Sequence, residues 1–170
     1  MWSYIDNMFY AYPAERRVIQ KMLNVGLSVK LIDGEPKIFC DNIEIKPNAI
    51  AKAYHVDRRV VVNMLNRIIN DETLYSFFSH LRSTANFSET GSNMGMGVIE
   101  ITPEDANRPG IISGVIKIIS DHGLNIRQVM TDDPDLIENP KAFVITQGLI
   151  PASLLNDVKK VPGVKAVTLL

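Results

Sequence analysis

The sequence is poor in the residues that build disulfide frameworks, metal sites and membrane spans. A single cysteine, Cys40, excludes an intramolecular disulfide and leaves no cysteine cluster for a structural zinc site. The three histidines never occur at the H-x3-H spacing of a metal site, so we expect neither a metal nor a bound cofactor. No apolar run approaches the roughly 18 residues that a membrane span needs, which predicts no membrane contact.

The sequence also lacks a large excess of one charge, a secretory leader and a catalytic motif. The formal net charge is −1 over 170 residues, which excludes a uniformly basic nucleic-acid binder but not a local basic patch. The N-terminus lacks the basic and apolar regions of a signal peptide, so we expect a cytoplasmic protein. No Ser-His-Asp constellation or phosphate-binding loop occurs, and we therefore expect no catalytic residues and no enzyme.

A glycine-rich stretch near residue 90 divides the chain. Three glycines lie among Ser, Thr and Asn between residues 88 and 97, a composition typical of a loop or linker. Before Glu89, eleven Lys and Arg stand against nine Asp and Glu, a net charge of +2; from Glu89 onward, seven stand against ten, a net charge of −3. We predict two domains, 1–90 and 91–170, in a chain of the α+β class.

The pattern of the first half predicts helices and one β-hairpin. Pro13 suits the first position of a helix and Gly26 the residue after its end, with apolar residues at helical spacing between them. Asp33-Gly34 between two apolar runs indicates a hairpin. A third amphipathic segment later in this half has an apolar stripe of Leu74, Phe77, Phe78 and Leu81.

Residues 47–68 have the spacing of two helices joined by a sharp turn. Ala51 is small where the helices must approach each other, His55 occupies the turn, and Asp57 suits the N-cap of the second helix. The residues predicted to face inward are Val61, Met64, Leu65 and Ile68. This pattern resembles the helix-turn-helix of DNA-binding regulators, where the turn residue is usually glycine; histidine also adopts the left-handed conformation.

The resemblance implies that the start of the second helix enters the major groove of double-stranded DNA. Arginine pairs with guanine and asparagine with adenine, and five basic residues against Asp57 give this stretch a local net charge of +4. The candidate DNA-contact residues are Lys52, Arg58, Arg59, Val62, Asn63, Asn66 and Arg67. Helix pairs with basic outer faces also occur in proteins that never contact DNA. The hairpin either packs against the helices or acts as a wing beside DNA, and packing is favoured.

The second half alternates strands and helices in the order β-α-β-β-α-β, the ferredoxin-like plan with two helices on one sheet face. Pro109-Gly110 opens the first helix, and Asn125 begins the strand that follows it. We interpret the acidic run Asp132-Asp133-Pro134-Asp135 as a solvated loop, because it lacks the alternating ligands of a calcium site.

Residues 105–112, read Asp-Ala-Asn-Arg-Pro-Gly-Ile-Ile, and the later Gly123-Leu124-Asn125-Ile126 resemble the ACT domain. That pattern is a strand, Asp-x-x-Pro-Gly, a helix and then Gly-x-Asn-Ile, with a small variation here at the acidic residue, and the resemblance covers residues 97–170. Gly110 opens a helix start suited to an anion, and we expect Asn125 beside that loop. The resemblance implies amino-acid binding between two ACT domains through Asn107, Arg108, Pro109, Gly110, Ile111, Ile112, Asn125 and Ile126.

Taken together, the two halves resemble prokaryotic ACT-domain regulators of amino-acid metabolism over the whole chain. That resemblance implies a transcriptional regulator that forms a homodimer or a larger homo-oligomer and responds to a small amino-acid effector. Two alternatives stay open. In the first, the chain is a regulatory subunit that senses an amino acid and docks onto a metabolic enzyme without binding DNA. In the second, it is a dimerisation module in which Gly110 and Asn125 serve only turn geometry.

Overall fold

The computed structural model describes residues 2–170, and their contacts divide into two units. The first unit ends at Ala85 and the second begins at Asn86. The composition suggested a boundary near residue 90. The contacts divide the chain a few residues earlier, because part of the glycine-rich region packs on the second unit's sheet. Each unit combines helices with an antiparallel sheet, which confirms the α+β class. No helix in residues 2–170 has both the length and the apolar character needed to cross a membrane.

Residues 2–85 form five helices and a three-stranded antiparallel sheet of order β1-β2-β3. Their bounds are α1 Trp2–Met8, α2 Pro13–Asn24, β1 Ser28–Ile32, β2 Glu35–Cys40, β3 Ile43–Ile45, α3 Pro47–Ala53, α4 Arg58–Asn70 and α5 Glu72–Ser79. The helices α2 to α5 and the β1-β2 hairpin lie where the sequence pattern predicts them. The pattern did not predict α1 and β3, which are short and lack a full period of apolar residues.

The hairpin packs into the apolar core of the first unit. Val29 of β1 and Ile38 of β2 are fully buried beside the apolar stripes of α2, α4 and α5. Asp33 and Gly34 form the two-residue turn with φ angles of 53° and 77°, the positive values that a type I′ turn requires. The predicted packing role is confirmed, and the wing remains a hypothesis.

The turn between α3 and α4 has the features that the sequence predicts. His55 has a φ of 53°, in the left-handed region. Oδ1 of Asp57 accepts a hydrogen bond from the backbone N–H of Arg59 at 2.7 Å and so caps α4. The four residues predicted to face inward are at most 1% exposed: Val61, Met64, Leu65 and Ile68. This buried stripe determines which side of α4 faces outward.

The left-handed backbone of His55 predicts an unusual response to glycine. Because glycine adopts positive φ without strain, we expect His55→Gly to raise the free energy of unfolding by up to about 1 kcal/mol. His55→Val places a β-branched residue at the same angle and should lower it by more than that. Urea unfolding of the full chain measures both. His80→Gly is the matched control, since His80 has a φ of −104° at the end of α5 and gains nothing from glycine. Equal changes in the free energy of unfolding for His55→Gly and His80→Gly would show that the positive φ of His55 does not matter for stability.

Residues 86–170 contain four strands and two α-helices in the predicted order β-α-β-β-α-β, preceded by the short 3-10 helix Ser92–Met94. Their bounds are β4 Gly97–Pro103, α6 Ile111–Asp121, β5 Ile126–Thr131, β6 Ala142–Thr146, α7 Ala152–Val158 and β7 Val164–Leu169. The sheet order is β5-β6-β4-β7, and every neighbouring pair is antiparallel. The strands β5 and β7 are therefore the two edges of this sheet.

Both helices of the second unit contribute to one apolar core with the sheet. The buried core residues of α6 and α7 are Ile111, Val115, Ile119, Leu154 and Val158, and those of the two central strands are Ile99, Ile101, Ala142 and Val144. Gly114 permits close packing in this layer, because a Cβ at that position would lie 2.8 Å from Cγ1 of Val161.

Part of the glycine-rich region lies against the other face of the same sheet. A Cβ at Gly91 would lie 2.8 Å from Cγ2 of Val98 and 3.5 Å from Cγ2 of Ile145, and both of these side chains are fully buried. The backbone N–H of Phe87 donates to Oε1 of Gln128 at 3.0 Å. The loop around Gly91 is therefore a structural part of the second unit and not a free spacer.

Candidate functional sites

The outward side of α4 carries basic and amide groups opposite the buried stripe. Arg58 and Arg59 lie in its first turn, and Asn63 and Asn66 follow one and two turns later; all four are exposed. Lys52 of α3 is exposed as well, whereas Val62 is half-buried. We call the five exposed residues the basic helix face: Lys52, Arg58, Arg59, Asn63 and Asn66. Guanidinium and amide groups are the side chains that read base edges in a DNA groove.

A groove of about 550 Å³ lies between α4 and the sheet of the first unit. Arg58 and Asn66 contribute to it from α4, and Lys37 and Lys46 from the side of the sheet. Lys46 donates a hydrogen bond to Glu44, which lowers the pKa of that carboxyl, so an ionised Glu44 offsets one of the cations. No local sequence pattern connects Lys37 with the basic helix face, because only the fold of the hairpin brings it there.

Arg67 has a different environment from the other predicted DNA-contact residues. Its Nε donates to Oε2 of Glu15 at 2.9 Å, and its Cζ lies 3.5 Å from the centre of the Tyr12 ring. The Glu15 side chain is only 7% exposed. Because a buried carboxylate needs a partner charge, Arg67 compensates Glu15 of α2. The guanidinium of Arg67 thus takes part in the packing of α4 on α2, and its contact with DNA stays a prediction.

This ion pair predicts a loss of stability that a second substitution reverses. Arg67→Met keeps the apolar stem but leaves Glu15 charged and unpaired, so we expect the free energy of unfolding to fall by about 1–3 kcal/mol. Adding Glu15→Gln removes the unpaired charge and should restore most of that loss. Urea unfolding of the two variants and of Glu15→Gln alone completes the cycle. Additive effects of the two substitutions would show that the residues are not coupled.

In the second unit, the loop from residue 104 to 110 joins β4 to α6. Asp105 organises it: Oδ1 accepts from the backbone N–H of Asn107 at 2.9 Å, and its carbonyl accepts from that of Arg108 at 3.1 Å. Gly110 precedes α6 with a φ of 94°, and nothing lies within 4 Å of its Cβ position, so the backbone angle alone requires glycine. The first amides of α6 have no acceptor within the helix, which leaves donors at this end.

A cavity of about 270 Å³ lies among this loop, the first turn of α6 and the β5-β6 connection. Three of the predicted ligand-binding residues line it: Arg108, Ile111 and Ile112. Further apolar wall comes from Ile101, Pro103, Ala106, Pro134 and Ala142. Asn107, Pro109 and Gly110 are not among the lining residues and lie exposed in the loop.

The acidic run supplies one carboxylate to the cavity. Asp132 lines the cavity and is half-buried, and its Oδ2 accepts from the backbone N–H of Lys141 at 3.0 Å. The ammonium of Lys141 bonds instead to Oε1 of Glu100 at 2.7 Å. Asp133 and Asp135 are exposed, as a solvated loop requires, but Asp132 is not. Sequence reasoning missed it because its partner Lys141 follows nine residues later, across the β5-β6 connection.

Asn125 and Ile126 do not join this cavity within one chain. They precede and begin β5, whereas Thr131 and Asp132, beside the cavity, lie at its other end. The eleven residues of α6 separate Gly110 from this region by about 16 Å of helix. The expectation that Asn125 stands beside the Gly110 loop is therefore wrong for a single chain, because α6 and β5 each traverse the sheet.

No known protein family matches the chain, and no curated protein matches it. Among solved structures, the ACT domain from the GTP pyrophosphokinase of Chlorobium tepidum matches with a TM-score of 0.35 and 21% sequence identity. The match covers 44% of this chain and 96% of that chain. A likeness of this strength assigns neither a family nor a function to the chain.

Proposed function

We propose that this protein is a cytoplasmic transcriptional regulator of amino-acid metabolism and not an enzyme. The first unit acts as a helix-turn-helix domain, and the second as a ferredoxin-like ACT domain that binds an amino acid. The observation that carries the proposal is that α4 buries one stripe and presents Arg58, Arg59, Asn63 and Asn66 on its exposed side. Because Arg58 and Arg59 lie in the first turn of α4, they occupy the positions that reach base edges when such a helix docks in the major groove.

The effector site of the second unit is completed by a second copy of the chain. β5 is an edge strand of its sheet, which is the position at which a further strand can add. If two copies of β5 pair antiparallel about a two-fold axis that passes between their Val129 residues, Asn125 of one chain lies opposite the segment that follows β5 of the other, beside Asp132. Asp132 lines the cavity. Such a two-fold pairing is closed and gives two identical sites, each with loop residues of one chain and Asn125-Ile126 of the other.

An amino acid held by both copies binds the pair more tightly than it binds a single chain. Ligand binding and chain pairing are then linked: the ligand raises the affinity of the two chains for each other by the same factor by which pairing raises the affinity for the ligand. A DNA-binding dimer reads two half-sites about 34 Å apart, so a ligand that changes the pairing changes DNA affinity. Phosphate contacts of the basic helix face make that affinity fall with salt.

Removal of the two first-turn arginines tests the DNA-binding proposal. Duplexes enriched from a random-sequence pool by the wild-type chain serve as probes, and fluorescence anisotropy measures the dissociation constant across a salt series. Since one good base contact is worth about 1–3 kcal/mol, Arg58→Ala with Arg59→Ala should weaken binding more than tenfold. The dependence on salt should become shallower as well.

The control for that experiment removes the same charge from another helix. Arg17 and Lys21 of α2 are both exposed, and Arg17→Ala with Lys21→Ala should change the dissociation constant little. Both double variants should keep the mass and circular dichroism of the wild type. If no duplex is enriched, or if the two double variants behave alike, DNA reading by α4 is wrong, and docking onto an enzyme becomes the better account.

The proposed pairing of β5 has its own prediction. Val129 is 39% exposed beside the proposed axis, so Val129→Lys places two like charges next to each other in the pair and should dissociate it. Light scattering coupled to size exclusion measures the mass. Thr168→Lys, at an exposed position of the opposite edge strand β7, should leave the oligomer intact. An oligomer that persists in Val129→Lys and dissociates in Thr168→Lys would assign the interface to β7.

A further inference from the structure

We infer that the effector is an amino acid with an aliphatic side chain, which enters the cavity of the second unit while Asp132 binds its ammonium group. The inference rests on the proposed effector binding and names the class of ligand. It concerns one cavity, partly open to solvent and lined by the loop before α6, the start of α6 and the β5-β6 connection.

The size of the cavity limits the ligand. Pockets for drug-sized ligands measure about 300–1,000 Å³, and this one is slightly below that range at about 270 Å³. A nucleotide or another extended cofactor exceeds that space. A single amino acid of moderate size matches it.

The walls of the cavity favour carbon over polar atoms. Ile101 is fully buried and Ile111 is 4% exposed, and Ile112, Pro103 and Pro134 extend the same apolar lining. Each methylene that enters such a site contributes about 0.8 kcal/mol, whereas a charged side chain loses its hydration there without a partner. Lys141 does not offer that partner, because Glu100 holds its ammonium. An acidic ligand side chain is therefore disfavoured.

Two charged groups on this cavity match the charges of a free amino acid. Arg108 is 48% exposed, and its Nη1 lies 3.7 Å from Oε2 of Glu104, a loose contact that a ligand carboxylate can replace. Asp132 is half-buried, and Lys141 uses only its Oδ2 in the backbone hydrogen bond. The carboxylate of the ligand therefore pairs with Arg108 and its ammonium with Asp132, which leaves the side chain for the apolar wall.

The first experiment measures selectivity by calorimetric titration of the full chain with single amino acids. Leucine, isoleucine and valine should bind, and aspartate, lysine and tryptophan should bind at least about tenfold more weakly. Ala106→Leu fills part of the cavity. It should weaken the binding of free leucine by about tenfold and the binding of free alanine by less. Ala152→Leu adds the same atoms at an exposed position at the start of α7, outside the cavity, and should have no effect.

The second experiment separates the role of Asp132 in ligand binding from a structural one. Asp132→Asn keeps an oxygen that can accept from Lys141, so the loop should stay folded while the charge is lost. We expect leucine to bind about tenfold more weakly to this variant. The affinity for 4-methylpentanoate, which has the same carbon skeleton without the ammonium, should not change. Asp133→Asn, at the exposed neighbour, is the matched control.

The outcomes distinguish this inference from the function on which it rests. Tighter binding of aspartate, lysine or tryptophan than of leucine overturns the aliphatic assignment but leaves an amino-acid sensor in place. Equal losses for leucine and 4-methylpentanoate in Asp132→Asn overturn the role of Asp132. A lack of binding by any amino acid at millimolar concentration overturns both the inference and the effector half of the proposed function, while DNA binding is judged separately.

Discussion

The order in which α6 and β5 cross the sheet of the second unit constrains everything that is proposed for that unit. Because α6 and β5 each run the length of the sheet, residues before α6 and residues before β5 lie at opposite ends. One chain therefore cannot combine the Gly110 loop with Asn125, whatever rotamers the side chains adopt. The same order leaves β5 at an edge, where an antiparallel partner strand reverses the direction and returns Asn125 to the cavity end. A single topological fact thus separates the two halves of the candidate site and supplies the way to join them.

In the first unit, the corresponding constraint is the buried stripe of α4. Since its four inward residues are at most 1% exposed, α4 cannot rotate about its axis without exposing them to water. The turn at His55 and the cap at Asp57 fix where the helix begins. The buried stripe therefore fixes the orientation of the first-turn arginines, whereas Arg67, about 100° around the helix axis from Asn66, pairs with Glu15. The same helix thus carries both an exposed basic face and an internal ion pair.

Local chemistry explains which features the sequence predicts. The left-handed turn at His55, the Asp57 cap, the Asp33-Gly34 hairpin and the strand and helix order of the second unit all depend on residues close in sequence. The surroundings of Asp132, Lys37 and Arg67 could not be predicted, because they come from segments distant in the chain, such as Glu15 for Arg67. The cavity has no sequence signal, since its walls come from three separate segments. Composition likewise identifies the loop near residue 90 but not the sheet face on which Gly91 packs.

The two-fold symmetry of the proposed pair also determines how strongly an effector can act. A hydrogen bond to a charged group contributes about 1.5–3 kcal/mol, and each ligand in the pair gains one such bond when Asn125 of the other chain reaches it. Two identical sites double this to about 3–6 kcal/mol of preference for the paired form. A complete switch between 1:99 and 99:1 needs roughly 5.5 kcal/mol. One amide contributed across the axis therefore gives a partial shift at the lower end of this range and a nearly complete switch at its upper end, without any movement within a single unit.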